Sequence, residues 1–143
     1  MPLILLERSS RWAAAFRREM RKAGKLRQPI PIQEVRSVLQ CQRELEAALH
    51  SVVALEILPQ NLVSMAKALS DWSRHFPSAR FIALAARGLE PHELLLREAG
   101  AIHVTFTPRT LSPLLRLIRH HLAGAPQPER TLEEAIWAGL PWS

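Results

Sequence analysis

Metal centres, nucleophilic sites and phosphate loops are built most often from histidine, cysteine and glycine, and the spacing of those residues here favours none of the three. His120 and His121 are adjacent, so on a helix they point about 100° apart, whereas zinc binding uses an i, i+4 pair on one face. They read as surface histidines. His103 falls in an apolar run, but no serine or cysteine with a positioned acid accompanies it, as a nucleophilic site requires. Cys41 is the only cysteine; it cannot form an intramolecular disulfide, and between Gln40 and Gln42 it reads as a small buried hydrophobe. The five glycines are scattered and match neither a P-loop nor a dinucleotide-binding spacing. From these residues we expect no catalytic group, no metal and no cofactor.

Charge is the next source of chemistry. Residues 1–36 hold nine Lys and Arg against three acids, whereas residues 37–143 hold ten of each, so the whole net charge of +6 lies in the first quarter of the chain. Arg11, Arg18 and Lys22 are its candidate contacts. Two readings are open: a solvated helix face that keeps the protein soluble, or a docking surface for an acidic partner, anionic lipid or nucleic acid.

The elements that position these groups follow from hydrophobic patterning. At 143 residues, 48% hydrophobic and 22% charged, the chain suits one globular domain with a real core. The apolar run after Met1 is too short for a signal sequence or membrane span, so a cytoplasmic location is expected. Short apolar runs then alternate with stretches of helical period, the pattern of strands returning through helices into a parallel sheet. Leu3–Leu6 is the first strand. Ser9 or Ser10 can cap a helix running to Gly24, with Trp12, Phe16, Met20 and Ala23 on one stripe. Pro29 and Pro31 remove backbone donors and push a second strand, 30–35, to a sheet edge. Ser37 precedes a helix over 38–49, and 51–57 is a nearly continuous apolar strand with Glu56 near its C-terminal end. A helix over 62–76, a strand over 80–85 and a helix over 91–99 follow, with Gly100 as the stop. Residues 102–106 supply the fifth strand, and 110–122 the fifth helix with Leu114, Leu117, Ile118 and Leu122 inward. Five βα units specify a doubly wound, five-stranded parallel α/β domain over 1–123.

Residues 124–130 read as a linker, and 131–143 as a short helical tail opened by the capping box Thr131-Leu132-Glu133-Glu134. Ile136, Trp137 and Trp142 give this tail apolar surface in a segment too short to be stable alone. It either packs on its own domain or enters a partner's groove or a second copy of the chain.

The run Arg80-Phe81-Ile82-Ala83-Leu84-Ala85-Ala86-Arg87-Gly88, then, after ten intervening residues, Ala99-Gly100-Ala101, then Thr107-Pro108, resembles the receiver domain of bacterial two-component response regulators. Receivers show an apolar strand ending in Thr-Ala, a helix closed by Ala-Gly-Ala and a strand ending in Lys-Pro. The match spans residues 1 to about 122 without a gap in this region. The resemblance implies phosphoryl chemistry built on two acids after the first strand, an aspartate acceptor after the third, a Thr or Ser, and a Lys. At those places this chain has Glu7-Arg8, Glu56, Ala85 and Thr107. Arg8 puts a positive charge where a hard cation needs oxygen.

The resemblance therefore implies a degenerate, pseudo-receiver member whose phosphorylation is not expected. Either Arg8 pairs with Glu56 and Glu56 imitates the phosphorylated form, or both are solvated remnants at the strand ends. The expected function is a phosphorylation-independent adaptor in bacterial signalling or regulation, binding a protein partner through the fifth-helix face or the tail. A homodimer is implied by the resemblance alone. With only about 20 residues after the fold, output is expected through association rather than an attached domain. The alternative is nucleic-acid binding by the basic first third, and a third reading places a small molecule in the crevice at the strand ends.

Overall fold

A computed structural model describes residues 2–22, 30–109 and 111–124. The elements in chain order are β1 (Leu3–Leu6), α1 (Arg11–Lys22), β2 (Ile32–Val35), α2 (Val38–Ala47), β3 (Val52–Ile57), α3 (Leu62–His75) and β4 (Arg80–Ala85). A 3-10 turn (Glu90–His92), α4 (Glu93–Ala99), β5 (Ala101–Thr105) and α5 (Ser112–Ala123) complete them. The strands pair in parallel in the order β2-β1-β3-β4-β5. This is the doubly wound order in which the chain reverses direction between β1 and β3 and leaves a crevice at their C-terminal ends. Leu6 lies opposite Leu55, so Glu7, just past the end of β1, comes beside Glu56, which is still on β3 opposite Leu84.

Strand alternation assigns the two faces. Ile4, Leu6, Val53, Leu55 and Phe81 point toward α2, α3 and α4 and meet Cys41, Leu45, Leu69, Trp72 and Leu96. Leu3, Leu5, Val52, Ala54 and Ile82 point the other way, onto Trp12 and Phe16 of α1 and Leu114, Leu115 and Ile118 of α5. Both proline-flanked β2 and β5 are edge strands. Burial beside Glu44 pushes the Cys41 thiol up to about 12, which fits an inert core position.

Several local expectations shift. The stripe of α5 runs through Leu114, Leu115 and Ile118, while Leu117 is 40% exposed. Residues 114–118 are apolar at four of five positions, so two stripes were available and contact with the sheet selected one. The second helix ends at Ala47, two residues short of 49, with Ala48 as its C-cap. Gly100 closes α4 at φ +130°, and a Cβ there would lie 2.6 Å from the Cβ of Ser73, so both backbone conformation and space require glycine. The linker beyond Gly124 and the tail with Ile136, Trp137 and Trp142 lie outside the described residues.

Candidate functional site

At the C-terminal ends of β1 and β3 a hollow of about 220 Å³ is lined by Glu7, Arg8, Arg36, Glu56, Asn61 and Ser64, with Leu6, Val38 and Met65 as its apolar part. Parallel register brings Glu7, Arg8 and Glu56 together. Ala85 and Thr107 are not part of it. Ala85 lies opposite Ile57 on β4 and is buried in the core under α3, and the Thr107 hydroxyl accepts the Arg109 N–H at 3.3 Å in the turn after β5.

Glu7 is 2% exposed, and its carboxylate is turned away from the crevice and under α1. The N–H groups of Trp12 and Ala13 donate to its two oxygens at 3.0 and 2.8 Å. A helix N-terminus exposes unpaired donors and a partial positive charge, and this carboxylate answers both. The side-chain cap is therefore Glu7, not Ser9 or Ser10; the Ser10 hydroxyl instead donates to Glu34 at 2.9 Å. Burial, the largest cause, holds the Glu7 carboxyl above its ordinary value, against the two N–H bonds and with help from the nearby Glu56 and Glu34 charges.

Glu56 meets Arg8 through the backbone. The Arg8 N–H donates to Glu56 Oε1 at 3.3 Å, and among the described residues no ion pair joins the Arg8 guanidinium to Glu56. The chain around the hollow is braced by residues that patterning did not single out. Asn61 accepts the Leu58 N–H at 2.7 Å and donates to the Glu56 carbonyl at 3.3 Å. Arg36 donates to the Glu7 carbonyl and to Ser10, each at 3.0 Å. Glu34 collects Ser10, Arg17 and Arg36, and these partners, Ser10 foremost, hold its carboxyl below the usual range. An asparagine two residues after Pro59 was the one available signal, as a helix-start residue.

The resemblance to receivers raises the question of a divalent cation in this hollow. The residues present do not fit one: a hard cation needs several converging oxygens, whereas both Glu7 oxygens are already bonded to α1 and Arg8 adds a positive charge. Among the described residues no group of three or more His, Cys, Asp or Glu converges elsewhere.

The opposite end of the sheet carries a second polar cluster. His50 and His121 stack with ring centroids 4.1 Å apart and planes 5° from parallel, and His50 Nε2 lies 3.0 Å from the His121 carbonyl. His121 is thus half-buried rather than a plain surface histidine. Burial, then the neighbouring His50 and Arg80, push its pKa below the ordinary imidazole value. His103 stands on β5 beside Arg97 and Glu93 of α4, away from the hollow. Arg11, Arg18 and Lys22 are all exposed on α1. No described helix is long and apolar enough to cross a membrane.

No family model matches the sequence, and no curated protein matches it either. Solved structures do match in fold. A CheY-like protein, TadZ, from Pseudomonas aeruginosa PAO1 superposes with a TM-score of 0.67 at 18% identity, over 85% of this chain and 98% of that one. The beryllofluoride-activated NtrC4 receiver domain dimer gives 0.66 at 10% identity, over 85% and 96%. An atypical orphan response regulator, described as revealing a phosphorylation-independent regulatory mechanism, gives 0.64 at 16% identity, over 87% and 98%. The chain has the CheY-like receiver fold.

Proposed function

We propose that this chain is a phosphorylation-independent, pseudo-receiver module that acts by binding protein partners. The fate of Glu7 carries the proposal: the first carboxylate of the crevice is spent on capping α1, with both oxygens bonded to backbone N–H groups. Arg8 follows it and Glu56 accepts a backbone N–H, so the crevice is organised for holding its own loops together. The phosphorylation-independent mechanism described for one structural neighbour supports the same reading by analogy.

A partner surface is supplied by the side of the molecule at β5. Leu94 and Leu95 on α4 are 67% and 47% exposed, Ile102 on β5 41% and Leu117 on α5 40%. Apolar side chains gathered at a bare sheet edge suit association. The NtrC4 receiver neighbour forms a dimer, and a second copy of this chain is the simplest occupant of that side.

The test is exposure of the full chain to acetyl phosphate with Mg²⁺, followed by mass spectrometry and light scattering. No phosphoryl adduct and an unchanged assembly state are expected. An adduct that depends on Mg²⁺, or a change of assembly on treatment, would overturn the proposal.

A further inference from the structure

Folding places the basic N-terminal segment beside a second basic element from the far end of the chain. Helix α1 carries five Arg and Lys against one acid, Glu19, and α5 carries Arg116 and Arg119 with no acid. These two helices pack side by side on one face of the sheet. The helices of the other face, α2, α3 and α4, hold four Arg and Lys against five acids. The sandwich is strongly basic on one layer and close to neutral on the other.

Helical geometry narrows the basic layer to a groove. On α1, Arg11, Arg18 and Lys22 fall within about 40° of one another, and Arg17 lies roughly 120° away. Arg17 reaches Glu34 on the edge strand β2 at 3.2 Å, so the stripe occupies the opposite flank, the one facing α5. On α5, residues 117 and 119 point about 200° apart. Leu117 shares a hollow with Ile102 at the β5 edge, so Arg119 is turned back toward α1. Arg11, Arg18 and Arg119 make no ion pair among the described residues, and Lys22 has only a 3.9 Å contact with Glu19.

We infer that the groove between α1 and α5 binds the phosphate backbone of nucleic acid without selecting bases. Arginine forks match phosphate oxygens in pairs, and a convergent row of them attracts a polyanion by releasing its counterions. A membrane surface fits less well. Interfacial helices insert large apolar side chains, but Trp12 and Phe16 of α1 are buried against the sheet and no large apolar side chain of α1 is exposed. No Trp, Tyr or Phe ring is exposed on either helix to stack a base, which leaves little for base readout. The inference rests on charge placement and not on Glu7, so it stands or falls apart from the protein-partner reading.

The experiment is fluorescence anisotropy of a labelled DNA duplex of arbitrary sequence with the full chain at several salt concentrations. Binding in the range of about 1 to 100 μM is expected, with a slope of log K on log salt of about −2.7 or steeper, as three or more phosphate contacts require. Joint substitution Arg11→Glu, Arg18→Glu and Lys22→Glu is expected to weaken binding by about tenfold or more. The same reversal on the other layer, Arg43→Glu, Lys67→Glu and Arg74→Glu, is expected to change it less than about threefold. Arg116→Gln with Arg119→Gln is a milder variant, expected to weaken binding and flatten the slope by about 1 for each lost contact. The proposal is overturned by equal losses from the two triple variants, by a slope shallower than about −1, or by binding to phosphatidylglycerol vesicles without binding to DNA.

Discussion

The layer of α1 and α5 and the layer of α2, α3 and α4 bury comparable side chains against one sheet, yet they meet water differently. Inside, both are aliphatic with a few aromatics. Outside, one is basic and the other mixed. Their helix starts do not follow that division: α1 is capped across the β1 turn by the buried Glu7, α2 by its own Ser37, and α3, α4 and α5 by no side-chain cap. Inner faces answer to packing, which is the same problem on both sides of a parallel sheet. Outer faces are free of that demand, so a difference between them points to function or to history.

The comparison can be broken most severely from within. Phe16→Ala removes a fully buried ring under α1, and a loss of about 3–5 kcal/mol is expected from urea unfolding. Leu69→Ala, its counterpart under α3, is expected to cost about 2–5 kcal/mol. A Phe16→Ala cost under about 1 kcal/mol would mean that α1 is not seated as described. Removing the cap is a smaller blow. Glu7→Ala is expected to cost about 0.5–2 kcal/mol, with faster amide exchange at Trp12 and Ala13 and little change in α3 or α4. Uniform exchange throughout would show that Glu7 does not anchor α1 specifically. The smallest effect is the pH response of the histidine stack. With the folded pKa of His121 held below its unfolded value near 6.5, the unfolded chain binds the proton more readily. Its contribution is present above that value and is lost as pH falls below it. Melting temperature is expected to drop less between pH 7.5 and 5.5 in His121→Asn than in the parent chain, and equal drops would remove His121 from the account.

Much of this architecture is legible in the sequence, because a parallel sheet buried on both faces writes itself as apolar runs. Leu3–Leu6 and Arg80–Ala85 are read at their observed bounds, and two prolines place β2 at an edge. The meeting of Glu7, Arg8 and Glu56 also follows once β1 and β3 are neighbours. What patterning misses is direction and distance. Nothing in the letters tells that Glu7 turns back under the helix that follows it. The stack of His50 on His121 spans 71 positions. The basic groove escapes for the same reason: charge balance along 37–143 is neutral, and only folding separates α5, which has no acid, from the acids of α2 and α4.

The Glu34 hub has a consequence for growth of the sheet. By tying Ser10, Arg17 and Arg36 to an outer strand that begins directly after Pro31, it leaves that flank charged and unfit to accept another strand. On the far flank, with Ile102 on its surface, the described residues place only the Arg97 guanidinium, at 3.5 Å from the Ile102 carbonyl. Strand addition to this domain is therefore one-sided: two copies joined along their open flanks would present only blocked ones, so assembly by that route terminates at a pair and cannot run on into a fibre.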